Sequence, residues 1–527
     1  MSKAADMAKV SAKGGFHLLW GLIASTVISS VGTIFIARLL GSDLYGLYTV
    51  VLTVPALIST FRDWGVNSAM IRFGAQYRAE GRSEEIRSLF VTGIIFEIIL
   101  GLVLSAVGFG LSDFLATTLW NRPAIAPLIQ IASFSILAGG LVNAATAAFT
   151  GLERMELNSV MLICQSIIKT LTVIGLVVLG LGTLGATVGY TVGYLVAGTI
   201  GIALVGYVYR SLPKPYTSKL EVKAYMSSML QYGIPISIAT IIGGFQTQFY
   251  AFLLPIYYST DNILIGNYSV AVSFSVLISF FATPITTMLF PAFSKLDSKK
   301  DRETLKSVFQ FSIKYASLLV VPVAAIIICL SEPAVSTLFG NTYASAPLFL
   351  ALLSITYMYT AFGSLSSGNL IIGQGYTKVN LYLTILTAAV GFPMGYVLIM
   401  NFGVIGLIAT TLMVGLPSIF GALIFANRRF GVSVDWISTA RILLSSAVTA
   451  ALTYLVVGQM TFSSPIRLVI GVVVFLLILV PIVLMTRTLT RADIGNIRGM
   501  VSALGPVGVV VNVFLRLIER IMTFLRV

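Results

Sequence analysis

Long apolar stretches separated by short polar connections dominate the chain. A helix needs about 20 consecutive apolar residues to cross a bilayer, and the pattern predicts about fourteen such spans. Because a segment in lipid has to satisfy its own backbone hydrogen bonds, the predicted fold class is an all-α polytopic membrane protein. The predicted spans are 14–39, 44–70, 88–111, 124–150, 158–181, 183–209, 229–258, 262–291, 308–331, 345–371, 376–399, 403–427, 437–457 and 466–486.

Composition agrees with this pattern. Of 527 residues, 57% are hydrophobic and 10% are charged, whereas soluble proteins carry roughly 25% charged residues. The first apolar run, 16–37, exceeds the roughly 7–15 residues of a signal-peptide core, so we interpret it as a retained transmembrane helix. Two cysteines and a single histidine indicate neither a disulfide framework nor a metal cluster. We expect no cofactor and no metal.

The formal net charge of +14 would suggest a nucleic-acid partner in a soluble chain. Here the basic residues concentrate in alternate loops, such as 72–87 and 210–223, while the opposite loops show Arg38, Arg122 and Arg467. By the positive-inside rule, both termini are expected in the cytoplasm, in a multi-pass protein of the cell membrane. We therefore expect contact with membrane lipids, including anionic ones, and no nucleic-acid partner.

The sequence contains an internal repeat with an offset of about 220 positions, a sign of repeated transporter halves. Residues 46–50 (GLYTV) return as 266–270 (GNYSV), and residues 84–90 (EEIRSLF) return as 303–309 (ETLKSVF). The register holds over several helices. Further matching pairs are Gly151 with Gly373, Asn158 with Asn380, Gly182 with Gly403, and Gly185 with Gly406.

The repeat predicts an N-lobe over 1–218 and a C-lobe over 219–430, each with six spans. Lobes with an even number of spans are related by an axis along the membrane normal, and the cleft between them is the natural substrate path. Residues 431–490 add two transmembrane helices. Residues 491–527 form a predicted cytoplasmic tail, in which 511–527 is an amphipathic helix. This helix either lies on the membrane surface or packs against the protein's own loops.

Ionisable side chains deep in a bilayer are costly and therefore mark candidate functional sites. Lys169 lies about 11 residues, or roughly 16 Å, into a predicted span. Glu97 lies about nine residues into the third span and is the candidate partner of Lys169. A role in the transport path and a structural ion pair are both open for these two residues. Tyr190 and Tyr194 suit stacking on sugar rings, although core packing explains them as well.

Three more charged residues are candidates, and a fourth is weaker. Arg62 and Asp63 lie within one apolar run and point about 100° apart on a helix, so they do not simply neutralise each other. We expect one to face the cleft and the other a neighbouring helix, unless both are interfacial charges. Arg38, at the outer end of the first span, either binds an anionic group or anchors the helix. Lys314 lies near a cytoplasmic helix end, where a long cation reaches water easily.

Enzyme signatures are missing from the sequence. It has no glycine-rich phosphate loop with Lys-Ser/Thr, no Cys/His metal spacing and no Ser/His/Asp set, so we expect no catalytic activity and no ATP hydrolysis. A membrane-embedded glycan ligase or polymerase would ordinarily need a substantial outer loop with acidic, Arg or His residues. The loops at 116–124 and 332–345 are poor candidates for that role.

Several motifs point to a known family. Residues 36–48 (IARLLGSDLYGLY) are followed by 62–66 (RDWGV), and the second half carries 232–235 (YGIP), 266–270 (GNYSV) and 289–295 (LFPAFSK). With these motifs the chain resembles the polysaccharide exporters and lipid-linked oligosaccharide flippases of the multidrug/oligosaccharidyl-lipid/polysaccharide superfamily. The resemblance implies two six-helix lobes and transfer of a lipid-linked oligosaccharide from the cytoplasmic to the outer leaflet.

For the site, the resemblance implies a polyprenyl-phosphate- or diphosphate-linked oligosaccharide that moves by alternating access. Arg38, Arg62 and Lys169 would hold its anionic group or sugars in turn, and glycan polymerase or transferase machinery is an implied partner class. The alternative is a cation-coupled multidrug or metabolite antiporter of the same superfamily, with Asp63 or Glu97 as coupling carboxylate. Drug-extruding members typically carry an acidic residue in the first span, and this chain has none there.

Overall fold

The computed structural model describes residues 3–210, 222–259, 261–298 and 300–501, together with 516, 519, 520 and 522. All of the regular elements in these ranges are helical. Most of the predicted amphipathic helix at 511–527 lies outside the described residues, so it stays a prediction.

Sixteen α-helices follow one another along the described chain. Short π-helical turns follow α3 and α5, at Leu115–Leu119 and Val177–Leu181, and 3₁₀ turns occupy Pro123–Ile125 and Ile355–Phe362. The helices are α1 (Lys3–Ser59), α2 (Val66–Ala79), α3 (Ser83–Phe114), α4 (Ala126–Gly151), α5 (Met155–Leu176), α6 (Gly182–Arg210), α7 (Val222–Tyr257), α8 (Ile263–Ser294), α9 (Arg302–Cys329), α10 (Ser331–Leu338), α11 (Ala346–Ser354), α12 (Ser364–Gly373), α13 (Thr377–Phe430), α14 (Trp436–Gly458), α15 (Ser464–Met485) and α16 (Arg491–Val501).

Many of these helices are long and apolar enough to cross a membrane. In the described ranges there are nine such helical runs, and the bent pair Ala346–Phe362 and Ser364–Gly373 makes a tenth. The runs α1 and α13 are each interrupted by a glycine with a non-helical backbone, Gly41 and Gly403. The predicted fold class, an all-α multi-pass membrane protein, is confirmed. The count of fourteen spans stays a prediction.

The predicted span 44–70 is not one continuous helix, which corrects the sequence interpretation. The helix α1 ends at Ser59, and α2 begins at Val66. Between them the chain forms a turn, in which the backbone N–H groups of Thr60, Phe61 and Arg62 donate to carbonyls three residues earlier. The break ends at Gly65, whose φ of 78° is a left-handed conformation that favours glycine.

The repeat read from the sequence extends to the backbone conformation. Gly182 has φ 50° and ψ −131°, and its repeat equivalent Gly403 has φ 56° and ψ −128°. Both positions require glycine, because L side chains are excluded from this region. Three residues later, Gly185 lies against the Leu176 carbonyl at the end of α5, and Gly406 lies against the Leu398 carbonyl in the part of α13 before Gly403. The two halves therefore share a local structure at equivalent positions.

The chain packs as two units. Unit 1 comprises Met1–Ser273 and Thr384–Thr410, and unit 2 comprises Phe274–Leu383 and Thr411–Val527. In unit 1, α4 packs against α3 and α6, and α5 packs against α1 and α6. In unit 2, α9 packs against α14, which packs against α15. The predicted lobe boundaries, 1–218 and 219–430, are a different division and stay a prediction.

Within unit 1, repeat-equivalent residues of α1 and α8 contact each other. A Cβ atom on Gly46 would lie 2.9 Å from the backbone nitrogen of Gly266, and one on Gly266 would lie 3.1 Å from the nitrogen of Gly46. Nearby, the Ser269 hydroxyl donates to the Thr49 hydroxyl at 3.1 Å. Such a close approach of two backbones requires glycine on both helices. The sequence match at 46–50 and 266–270 thus marks a contact between the repeats.

Candidate functional site

A cavity of about 600 Å³ lies inside unit 1, between α1, α4, α5 and α6. This size is typical of ligand sites, which range from about 300 to 1,000 Å³. Ten of its sixteen lining residues carry polar side chains. The polar lining residues are Ser59 at the end of α1 and Arg62 after it; Ser135, Asn143, Thr146 and Thr150 on α4; Asn158 and Gln165 on α5; and Tyr190 and Tyr194 on α6.

Helical spacing explains how these side chains share one wall. On α4 the lining residues other than Val142 run from Ser135 to Thr150 at intervals of three and four, which places them on one face. That stretch covers about 15 residues, or roughly 22 Å of helix. On α5 the lining residues Asn158, Leu162 and Gln165 follow the same spacing. The cavity therefore extends along the helices toward the turn that joins α4 to α5.

Arg62 enters this cavity from the break between α1 and α2. Its Nη1 atom donates to the Ile136 carbonyl at 3.2 Å, and its side chain is 12% exposed. Space for the guanidinium comes from Gly139 on α4, where a Cβ atom would lie 2.7 Å from Nη1. The helix break and this glycine together place a cation against the cavity.

Glu97 on α3 lies beside Arg62, away from the cavity wall. Its side chain is 0% exposed, and its Oε2 atom is 3.7 Å from Arg62 Nε. Its Oε1 atom accepts a hydrogen bond from Asn67 Nδ2 at 2.7 Å. Within the described part of the chain, Arg62 Nε and Glu97 Oε2 have no hydrogen-bond partner. The buried pair is thus close enough for electrostatic attraction but incompletely hydrogen-bonded.

This pairing corrects the expectation that Glu97 is the partner of Lys169. From the break at 60–65, Arg62 reaches Glu97 on α3 and the Ile136 carbonyl on α4. We expected one of Arg62 and Asp63 to face the cleft and the other to face a neighbouring helix, and the structure differs from this in part. Arg62 lines the cavity, and the Asp63 carboxylate accepts the Gly65 N–H at 2.8 Å, which stabilises the turn.

Lys169 lies one turn beyond Gln165, on the same stripe of α5. Its side chain is partly buried, and its backbone packs against Gly193 on α6. Among the described residues, no carboxylate forms a salt bridge with Lys169. Neither Lys169 nor Arg38 is among the residues that line the cavity, and Arg38 is exposed. The structure thus brings Arg62 and Glu97 together and leaves Arg38 apart.

Sequence reasoning missed the amides of the cavity, namely Asn143, Asn158 and Gln165. A signal was present, because Asn158, Gln165 and Lys169 repeat at helical intervals within one apolar span. Tyr190 and Tyr194, considered for sugar stacking, do line the cavity. Their ring centroids are 4.8 Å apart.

The arrangement can bind an anion and a hydroxyl-rich group together. A guanidinium offers several N–H donors in a planar fork, and amides, hydroxyls and phenols supply neutral hydrogen bonds and aromatic surface. Of the described residues that line the cavity, none is acidic, so the wall does not favour a cation. In the described ranges, no three His, Cys, Asp or Glu side chains are placed to hold a metal ion.

With this geometry in place, comparison with known proteins identifies the family. Residues 11–297 match the family described as "Polysaccharide biosynthesis protein". Because this match covers more than half of the chain, the protein belongs to the polysaccharide biosynthesis protein family. The resemblance read from residues 36–48 and 62–66 is confirmed.

Two curated relatives illustrate the similarity. The lipopolysaccharide biosynthesis protein WzxC of Escherichia coli is 25% identical over 402 residues, which cover 72% of this chain and 77% of that protein. The probable low-salt glycan biosynthesis flippase Agl15 of Haloferax volcanii is 22% identical over 280 residues, which cover 51% of this chain and 57% of that protein.

Solved structures show the same fold. The lipid II flippase MurJ in an inward closed conformation superposes with a TM-score of 0.69 at 15% identity, covering 88% of this chain and 97% of that chain. An inward-facing multidrug resistance MATE family transporter of the MOP superfamily superposes with a TM-score of 0.58 at 16% identity, covering 77% of this chain and 94% of that chain.

Proposed function

We propose that the protein is a flippase for a lipid-linked oligosaccharide. Its substrate is a polyprenyl-phosphate- or diphosphate-linked glycan, which it moves from the cytoplasmic to the outer leaflet by alternating access during assembly of a surface polysaccharide or other glycan. The observation that carries the proposal is the cavity in unit 1, where a guanidinium lies among amides, hydroxyls and tyrosines. The similarity to the lipopolysaccharide biosynthesis protein WzxC, the probable flippase Agl15 and the lipid II flippase MurJ supports it.

The two parts of such a substrate match two kinds of group in the cavity. A phosphate oxygen is a strong acceptor for the Arg62 guanidinium, and charge-assisted hydrogen bonds of this kind are stronger than neutral ones. Sugar hydroxyls donate and accept, as do the amides and hydroxyls of the wall. The apolar lipid tail gains nothing from this polar site and stays in the bilayer.

Lys169 is proposed as a second cation for the phosphate. It lies about 14 residues, or roughly 21 Å, from the start of α5, and Gly139 beside Arg62 lies about 12 residues, or roughly 18 Å, from the end of α4. Because a short turn joins these two helices, the two cations are at similar depth. Arg38 is proposed to contact the anionic group at the exit. Replacing Lys169 with Ala should abolish flipping while the protein stays folded in the membrane.

The cation-coupled antiporter fits this site less well. It needs a carboxylate that a cation can reach, and the two candidates are otherwise engaged. Glu97 is buried against Arg62 and Asn67, and Asp63 accepts the Gly65 N–H. We also propose that the protein moves its substrate without changing it chemically. The proposed location is the cell membrane, with both termini in the cytoplasm.

The test is the leaflet distribution of lipid-linked oligosaccharide in cells with and without the gene. The flippase predicts accumulation in the cytoplasmic leaflet after deletion, and restoration by the wild-type gene. An unchanged distribution together with altered drug tolerance would instead identify an antiporter.

A further inference from the structure

We infer that the cavity contains a separate subsite for an uncharged sugar, built by Asn158 and Thr150 at the turn between α4 and α5. The inference rests on the proposed function and deepens it. Arg62 holds the anionic end of the substrate, and the Asn158 subsite binds a sugar ring further along the glycan. Binding in the cavity thereby depends on the length of the glycan as well as on the charge of the substrate.

The first observation is an unsatisfied buried amide. Asn158 is 2% exposed and lines the cavity, and its Oδ1 atom has no hydrogen-bond partner within the described part of the chain. Its Nδ2 atom donates to Thr150 Oγ1 over a long 3.4 Å. A buried acceptor without a donor costs free energy. A sugar hydroxyl at this position would supply the missing donor.

Thr150 does not supply the missing hydrogen-bond donor to Asn158 Oδ1. Its hydroxyl donates to the Thr146 carbonyl at 2.7 Å, so its single proton is used within α4. The Thr150 oxygen remains an acceptor on the cavity wall. The Asn158 and Thr150 side chains together present adjacent polar atoms, which suit the closely spaced hydroxyl groups of a sugar ring.

The second observation is the distance between this subsite and Arg62. Gly139, which contacts Arg62 Nη1, precedes Thr150 on α4 by about 11 residues, or roughly 16 Å. A single phosphate with one sugar cannot reach both ends. A glycan of several linked rings spans the gap and passes Asn143, Thr146 and Gln165, which line the wall between them.

The third observation is the charge of the wall around the subsite. The described lining residues on this side are amides, hydroxyls and apolar groups, without an acid or a base. Such a wall neither attracts nor repels an uncharged ring. A site built to hydrogen-bond a hydroxyl also rejects ligands that lack it, because its polar atoms would stay unpaired. An uncharged, hydroxyl-bearing sugar is therefore the ligand class.

The experiment compares two substrates in vesicles that contain the purified full-length protein. One is the lipid-linked oligosaccharide extracted from cells that lack the gene, and the other is the same material trimmed by exoglycosidases to its first sugar. The test variant is Asn158→Leu, with Thr150→Val as a second variant that leaves Asn158 in place. The matched control is Asn401→Leu, since Asn401 is an exposed amide whose Nδ2 donates to the Val397 carbonyl one turn earlier.

We expect the substitutions at the subsite to slow transport of the full oligosaccharide more than transport of the trimmed substrate. Asn158→Leu slows flipping of the full oligosaccharide about tenfold, the size of one to two lost hydrogen bonds, and slows flipping of the trimmed substrate much less. Thr150→Val shows the same selectivity with a smaller effect, and Asn401→Leu changes neither rate. Equal slowing of both substrates, or no slowing of either, would overturn the subsite and leave the flippase intact. Wild-type vesicles that flip neither substrate would overturn the proposed function itself.

Discussion

Two largely buried ion pairs, one in each unit, differ in how completely their charged atoms are hydrogen-bonded. In unit 1, Arg62 and Glu97 lie 3.7 Å apart, and the facing atoms, Nε and Oε2, have no hydrogen-bond partner in the described structure. In unit 2, Lys314 on α9 and Asp493 on α16 are 2.7 Å apart and directly hydrogen-bonded.

The unit 2 pair has further partners. Asp493 also accepts from the Tyr315 hydroxyl at 3.1 Å and from the backbone N–H and hydroxyl of Thr490 at 2.8 Å and 2.6 Å. Asn496 in turn donates to the Tyr315 hydroxyl at 3.0 Å. Each Asp493 oxygen therefore accepts at least one hydrogen bond, and this network holds α16 against α9.

The difference indicates different roles. Burying charges costs free energy that is recovered only with good geometry and complete hydrogen bonding. The Lys314 pair meets that condition and is suited to holding two helices together. The Arg62 pair does not meet it, and Arg62 also lines a cavity, where its Nη groups can donate hydrogen bonds to an entering phosphate. Substitutions at the two pairs should therefore affect different properties, namely transport in unit 1 and stability in unit 2.

Among variants of these two ion pairs, the largest effect is expected from removing both charges of the unit 1 pair. The double variant Arg62→Gln, Glu97→Gln leaves no lone buried charge, so it should fold with stability close to wild type. Loss of the charge-assisted contact to phosphate should slow flipping between about tenfold and 100-fold. Restoration of the leaflet distribution in deletion cells measures this. Full restoration would remove Arg62 from the mechanism.

The opposite result is expected in unit 2. Asp493→Asn leaves Lys314 without its counter-ion, and such a loss in a buried pair costs about 3 kcal/mol of folding free energy. Thermal unfolding of the purified protein should show a lower transition temperature, while flipping below that temperature is kept. Lost flipping at full stability would contradict a purely structural role for this pair.

A smaller effect should follow from filling the space beside the unit 1 pair. A Cβ atom at Gly140 would lie 2.9 Å from Glu97 Oε2 and 3.3 Å from Arg62 Cδ. We expect Gly140→Ala to shift the guanidinium and slow flipping by about tenfold or less. Gly110→Ala is the matched control, because a Cβ atom there has no atom outside its own helix within 4 Å. Equal rates in both variants would show that the exact position of Arg62 does not matter.

The smallest effect concerns pH. Burial alone would raise the pKa of Asp493, but hydrogen bonds from Lys314 and Thr490 hold this pKa below its usual value. A carboxyl with a lowered pKa in the folded state stabilises the protein above its unfolded pKa of about 3.9, and this stabilisation is lost as pH falls through the folded value. Wild type should therefore lose stability below about pH 4, and Asp493→Asn should lose less over the same range. Parallel curves for the two proteins would contradict this linkage.

Much of the fold was readable from the sequence, because apolar length and glycine position reflect local requirements. The matched pair Gly182 and Gly403 was found by spacing, and both have the same left-handed backbone. The break at 60–65 was not readable, because the apolar run continues through it. It depends in part on a tertiary contact, in which Gly65 packs against Gly233 of α7.

The site was only partly predictable for a related reason. Depth in a span identified Arg62, Glu97 and Lys169 as candidates, but depth does not say which helices are neighbours. The partner of Glu97 was therefore assigned wrongly. The role of Asn158 depends on a missing hydrogen bond, which no sequence pattern shows.

The most direct test of the proposed flippase activity uses lipid vesicles reconstituted with only the purified protein and lipid-linked oligosaccharide. Wild-type protein alone should move the oligosaccharide between leaflets, and the equally folded Arg62→Gln, Glu97→Gln variant should move it between about tenfold and 100-fold more slowly. Equal rates for the two proteins, or no movement by either, would contradict this prediction.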